Sequence, residues 1–393
     1  MSVIQVVRTE SGVWFAKNSD REPREPQVVV RQAPVYGDTA RLVKTTYLEI
    51  PQVGRRFGVL MSKPAWCWGA EMGVNDKWVC IGQAAVFSTR RTLKPALLGM
   101  DLVRLGLERS ASALEAVTVI TRLLETHGQG GSAGFLDKGF HADSSFVIAD
   151  PEEAWVLETA GSSWAARRIN GTYALSNAYT LGSRYDLCSA DLAAYRPSFR
   201  VRFDTHLMPM LLGAPYRRRL SLELLKDASG MSLARCAANL RVHHSSSRGP
   251  ARGSNRDICL HAAGSIRRLQ TTGAMVACLN ADPKQRGVYF TGTSATCLSL
   301  FRPAGFNGDF SVLTEPAEAA AAPLWHRAER LHRQAWVDRS FRRQLREHRD
   351  RVEQQILTSQ DHEEADLVAQ CWLEAMEAVL ATRPEARLPR FWR

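Results

Sequence analysis

The stretch SVIQVVRTESGVWFAKNSDR, residues 2–21, holds two short apolar runs, Val3 to Arg8 and Gly12 to Ala16, that read as β-strands. Asn18-Ser19-Asp20-Arg21 then reads as a polar turn closing the second strand. Serine at position 2 carries chemistry of its own. A small second residue permits removal of the initiator methionine, which leaves a free α-amine beside the Ser2 hydroxyl. An α-amine titrates near about 7.7–8, so a fraction is unprotonated at neutral pH and can take the hydroxyl proton. One residue would then supply both nucleophile and base.

Working outward, short strands are expected at residues 27–31, 45–50, 58–62 and 78–82. The apolar period then changes to three and four, which predicts helices over 93–108 and 112–127, the second opened by the capping pattern Ser112-Ala-Leu-Glu115. Strands return at 145–149 and 154–159 around the turn Asp150-Pro151-Glu152-Glu153, then at 164–169 and 173–176. Helical sequence follows over 186–241, a serine-rich loop over 245–254, and strands over 273–279, 287–291 and 296–301. An arginine-rich helical tail begins at about Pro323. Sheets alternating with helices in this order predict a layered sandwich with helices outside two sheets. The chain reads as one domain, 1–316, with a helical extension, 317–393, packed on it.

Composition limits the function classes. The chain has 393 residues, 45% of them apolar, and a formal charge of +11 carried mainly by arginine. Clusters occur at Arg217-Arg218-Arg219 and over 326–351, but without zinc-finger spacing or an aromatic-glycine RNA signature they read as solvated surface, and no nucleic-acid partner is expected. The eight cysteines include no Cys-x-x-Cys pair and sit among apolar neighbours, which suggests free thiols in a reducing compartment. His141, His243, His244 and His261 lack a metal-binding spacing, so they read as structural or exposed and no metal is expected. No apolar run reaches the length of a membrane span, and a cytoplasmic location is expected.

Longer blocks carry a resemblance. These are Lys17-Asn18-Ser19-Asp20-Arg21, the block from Pro64 to Asn75, the block from Ser145 to Gly161, Ala174-Leu-Ser-Asn177, Asp257-Ile-Cys-Leu-His261, Gln270-Thr-Thr-Gly273, Gly292-Thr-Ser294, and Leu324 to His332. In this order they resemble the secernin and dipeptidase A family of N-terminal-nucleophile hydrolases. The resemblance implies an α+β fold, a four-layer αββα sandwich with the nucleophile at the start of a central strand. It also implies hydrolysis of amide bonds in dipeptides with no metal or organic cofactor.

On the same ground Ser2 would be the nucleophile, Lys17 would lie near it, Asp20 would accept a hydrogen bond from the α-amine, and Asn177 would place its amide at the oxyanion. The chain departs from the family twice. Ser2-Val3-Ile4 replaces the usual cysteine-aspartate-threonine, and Gln83-Ala84 replaces asparagine-glutamate, leaving an amide donor on a longer arm. Glu158 reads either as a buried, paired carboxylate or as a group that binds a substrate amine, and Arg268 or Arg267 as a further cation of the site. The alternative is a catalytically silent, secernin-like binding or regulatory protein. Homo-oligomerisation stays open.

Overall fold

The computed structural model describes residues 1–228, 230–244, 253–264, 267–359, 361–385 and 387. Two antiparallel sheets lie face to face. One has the order Thr172–Leu175 (β10), Ser2–Thr9 (β1), Gly12–Arg21 (β2), Gln270–Asn280 (β12), Gly287–Phe290 (β13) and Arg302–Ala304 (β14). The other has the order Leu187–Cys188 (β11), Ser163–Arg168 (β9), Ala154–Ala160 (β8), Asp143–Ala149 (β7), Cys80–Val86 (β6), Met72–Asn75 (β5), Val59–Pro64 (β4) and Gln27–Gln32 (β3).

Strand side chains alternate between faces, and the core follows that alternation. Ile4, Val6, Phe15 and Met275 from the first sheet meet Val74, Ala84, Val147 and Val156 from the second. The opposite face of β7 is apolar as well: Phe146 and Ile148 pack under Gly99–Arg109 (α1) and Ala113–His127 (α2), against Leu102, Val117, Ile120 and Leu124. A strand buried on both faces is why this stretch reads as a continuous apolar run. Behind the first sheet, Ala214–Leu224 (α3) packs on β1 and β10. Leu233–Leu240 (α4) sets Cys236, Ala237 and Leu240 on Ala16, Ala274 and Val276. The result is the α+β, helix–sheet–sheet–helix sandwich.

Pro323–Val337 (α5), Arg339–Thr358 (α6) and His362–Ala381 (α7) share a core of Leu331, Phe341, Leu345, Ile356 and Trp372 with Cys297, Leu298 and Leu300. Glu353 on α6 fixes this group to the body. Its carboxylate accepts from Arg241 Nη1 at 2.5 Å, Arg241 Nη2 at 2.6 Å and the Phe301 amide at 2.9 Å.

Five sequence expectations change. Asn18–Arg21 is not a turn but the end of β2, because its backbone pairs with β1 and β12 while the side chains of Asn18, Asp20 and Arg21 each find a partner. Residues 93–98 are not helical, and α1 starts at Gly99, where the Asp101 carboxylate accepts from the Leu98 amide at 3.0 Å. Residues 296–301 form a buried turn instead of a strand, and 45–50 contributes only the short strand Glu49–Pro51. The helical stretch before Arg241 is broken into short pieces, as Pro197, Pro209, Gly213 and Pro215 require. The loop read over 245–254 lies, through 252, outside the described residues.

Glu353 is nearly buried, so its removal strands Arg241. Glu353→Ala should destabilise the protein by about 3–5 kcal/mol, read as a lower denaturation midpoint in urea.

Candidate active site

Strand alternation turns Ser2, Ile4 and Val6 of β1, with Val13, Phe15 and Lys17 of β2, toward the gap between the sheets. Ser2 pairs with Ser19 and is 1% exposed; Lys17 is fully buried. Lys17 Nζ donates to Ser2 Oγ at 3.0 Å and to Glu71 Oε2 at 3.2 Å. Glu71 Oε1 accepts from Arg21 Nη1 at 2.9 Å and Gln83 Nε2 at 3.0 Å. One carboxylate thus pairs with two buried cations, and Glu25 pairs with Arg21 as well. Burial pushes the Glu71 carboxyl up, but Lys17 and Arg21 overcome it and hold it below its usual value. Burial likewise pulls the Lys17 amine down, and Glu71 restores only part of that loss. Gly82 makes the room: a Cβ there would stand 2.7 Å from Lys17 Cδ and 2.9 Å from Phe15 Cζ.

The Ser2 amide donates to Asn177 Oδ1 at 3.0 Å, and Asn177 Nδ2 donates to the Ala85 carbonyl at 2.7 Å. These partners fix the orientation of the side chain. The oxygen faces Ser2, whereas the sequence reading had the NH2 facing the oxyanion. The difference follows from the Ser2 N–H, which needs an acceptor. Asp20 also differs from expectation. Its carboxylate lies on the other face of β2 from Lys17, where it accepts from Thr271 Oγ1 at 2.6 Å and pairs with the fully buried Arg217. The amine that Asp20 meets is that of Met1, which donates to its backbone carbonyl and not to its carboxylate.

Arg217 Nη1 also reaches Asn177 Oδ1 at 3.4 Å, so this arginine ties Asp20 to Asn177. The sequence reading missed it inside a run of three arginines. A signal existed: Ala214, Arg217 and Ser221 share the buried stripe of α3, at a helical spacing that selects the first arginine of the run.

Met1 caps the group. Its carbonyl accepts from Ser2 Oγ at 2.6 Å, and burial pulls its α-amine from 8.0 down to about 5. It lines a small cavity beside Ser2, Glu71, Gln83 and Ser144, and also an open cleft of about 830 Å³. Phe87, Phe140, Met208 and Leu211 supply apolar wall to the cleft, and Arg24, Arg268, Glu22 and Asp137 supply charge of both signs. Arg268 is therefore placed on the cleft and not among the partners of Ser2. Glu158 is placed elsewhere: its oxygens accept from the Thr180 amide at 2.7 Å, Thr180 Oγ1 at 2.6 Å and the Leu181 amide at 3.1 Å. Burial pushes its carboxyl up to about 7. Among the described residues, one group could hold a metal: His243, Cys259, His261 and Cys297.

Removing Arg217 leaves the Asp20 carboxylate buried and unpaired. Arg217→Met should cost about 3–5 kcal/mol. Combining it with Asp20→Asn should recover a large part of that loss in a double-mutant cycle on urea midpoints.

Residues 70–195, about a third of the chain, match the sequence profile of Peptidase family C69. That match supports a hydrolytic enzyme. The matched segment contains Glu71, Gln83 and Asn177 but not Ser2, Lys17, Asp20 or Arg217. Among solved structures, the chain is similar to a mutant conjugated bile acid hydrolase from Clostridium perfringens, at 14% identity and TM-score 0.42, over 74% of this chain and 88% of that one. Penicillin V acylase from Agrobacterium tumefaciens gives 10% identity and TM-score 0.42, over 80% and 88%. The Caenorhabditis elegans ortholog of N-acylethanolamine-hydrolyzing acid amidase gives 11% and 0.38, over 72% and 94%. These likenesses are too distant to bear on the site. Among the described residues, no helix is long and apolar enough to cross a membrane.

Proposed function

We propose that the protein hydrolyses the amide bond of small peptides such as dipeptides, with Ser2 as nucleophile and its own α-amine as base once Met1 is removed. One observation carries this reading. Ser2 begins a central strand in a buried polar group, with its nitrogen on Asn177 Oδ1 and its hydroxyl on Lys17. Loss of Met1 would free the hydroxyl proton from the Met1 carbonyl and convert the Ser2 amide into an amine. Asn177 would then orient that amine, and Asp20 would act through Arg217 on Asn177.

In the reaction Ser2 Oγ attacks the substrate carbonyl as its proton passes to the amine, which returns it to the leaving nitrogen. Water then cleaves the acyl-ester by the same route. Lys17, 3.0 Å from Ser2 Oγ, supplies positive charge where the oxyanion develops. Gln83 lines the cavity beside it, and Arg268 stands on the approach cleft. The eight free cysteines fit a reducing, cytoplasmic setting.

A silent binding protein is the second reading, and one feature favours it. The Asn177 and Gln83 amide groups are both spent on neighbours, Ala85 and Glu71, which leaves the oxyanion with few donors.

The two readings separate on the purified full chain. Intact mass should show loss of Met1, and a panel of unmodified dipeptides should include a substrate. Ser2→Ala should lower turnover by a factor on the order of a thousand or more, whereas Ser2→Cys should keep it. Desolvation disfavours a charged amine, so a Ser2 amine left buried by the loss of Met1 would keep its unprotonated, active form to lower pH. The rate should rise with pH through a midpoint below about 8 and then level. Retention of Met1, or no dipeptide cleaved above the Ser2→Ala control, would favour the binding protein.

A further inference from the structure

We propose that His243, Cys259, His261 and Cys297 bind one structural zinc ion behind the first sheet. The four side chains come from three separate places. His243 follows α4, Cys259 and His261 lie on the segment leading to β12, and Cys297 lies in the buried turn at 295–300. Their ligand atoms all lie within 4.8 Å of one another.

Three of the six separations are close to those between ligand atoms of one tetrahedral ion. Nε2 of His243 and Nε2 of His261 are 3.1 Å apart, and Sγ of Cys297 and Sγ of Cys259 stand 3.3 and 3.8 Å from His261 Nε2. Zn–N bonds of about 2.0–2.1 Å and Zn–S bonds of about 2.3 Å give tetrahedral edges of roughly 3.3 to 3.8 Å. Hydrogen bonding does not account for the same arrangement. A ring nitrogen is either one donor or one acceptor, yet His261 Nε2 faces three partners at once. A single cation satisfies all four ligand atoms together.

The donor set selects the ion. Two thiolates and two imidazoles in a tetrahedral arrangement suit zinc and disfavour magnesium or calcium. Four protein ligands, three of them on buried residues, leave no position for water or substrate, which makes the site structural. Binding deprotonates both thiols: the two sulfurs and two neutral imidazoles donate lone pairs to Zn²⁺, and two protons leave to solvent.

The site braces the far side of β2. Asn18 Nδ2 donates to the carbonyls of Leu240 at 2.8 Å and Ile258 at 3.0 Å, and Thr296 Oγ1 donates to Asn18 Oδ1 at 3.0 Å. All three partners are within three residues of a ligand. The Leu260 amide donates to Thr271 Oγ1 at 3.0 Å, and that hydroxyl donates to Asp20. The ion would hold in place the segments that position Asn18 and Asp20.

The test is elemental analysis of the full chain produced in zinc-supplemented medium and passed through gel filtration. One zinc per chain is expected. Cys259→Ser and His261→Ala should weaken zinc binding by more than the roughly 10–100-fold that outer-sphere changes cause, while Cys371→Ser, at an exposed cysteine, should keep the ion. Those variants can fail to fold, so the wild-type chain is also stripped with a chelator and refilled with Co²⁺. Thiolate-to-cobalt charge-transfer bands with tetrahedral d–d bands, bleached by Zn²⁺, are expected. A wild-type chain that carries no zinc and gives no such spectrum overturns the proposal, whether mass spectrometry then finds Cys259 and Cys297 as free thiols or as a disulfide.

Discussion

Glu71 makes the gap between the two sheets habitable for charge. Lys17 and Arg21 both point into a region built otherwise of Ile4, Phe15, Val147 and their neighbours, and each would be costly there alone. A carboxylate divided between them, one oxygen to each, offsets that cost together with Glu25, the second partner of Arg21. Because Glu71 precedes β5 and the cations sit on β2, the same interaction sets how the ends of the two sheets align. Ser2 inherits its surroundings from this alignment. Its hydroxyl meets Lys17 only because Lys17 is held by Glu71 on one side and given space by Gly82 on the other.

A second buried pair, Asp20 with Arg217, lies on the outer face of β2. The two pairs divide the labour of one strand. Odd positions of β2 serve the space between the sheets, and even positions serve the helical layer behind. Asn18 and Asp20 therefore do not approach the Ser2 side chain directly, however close they stand in sequence to Lys17. Their influence reaches it through the backbone of β1, through Asn177, and through the segments around Leu240, Ile258 and Thr271. The open cleft beyond Met1 meets this arrangement from the solvent side, with an apolar wall and charged residues of both signs.

Local signals served where burial and chain geometry agree. The alternation of Val3 to Arg8, the apolar run in β7 and the Ser112 cap each predicted their element, and Ser112 Oγ does accept from the Glu115 amide at 3.2 Å. They failed where a distant partner outweighed a local preference. Asn18-Ser19-Asp20-Arg21 has the composition of a turn, but β12 offers its backbone a ladder and Arg217, Leu240 and Ile258 bond the side chains of Asp20 and Asn18. Residues 296–301 have the composition of a strand, yet they fold as a turn under α5 and α6, with Arg241 bonded to the carbonyls of Thr296 and Ser299.

The sequence by itself carried most of the strands and helices and the helix-sheet-sheet-helix layering that their order favours, and its family resemblance singled out Ser2, Lys17, Asp20, Gln83 and Asn177. Periodicity and capping are properties of neighbouring residues, so they survive in a linear reading. Tertiary structure decided which way each polar group points and which distant groups share it. Asn177 turns its oxygen to Ser2, Arg217 emerges from a run of three arginines as the buried partner of Asp20, and Glu158 is enclosed by Thr180 and Leu181. His243, Cys259, His261 and Cys297 are brought together from positions up to 54 apart. No local pattern encodes these relations, because each depends on sheet register and on the desolvation that makes a buried donor or charge find its partner.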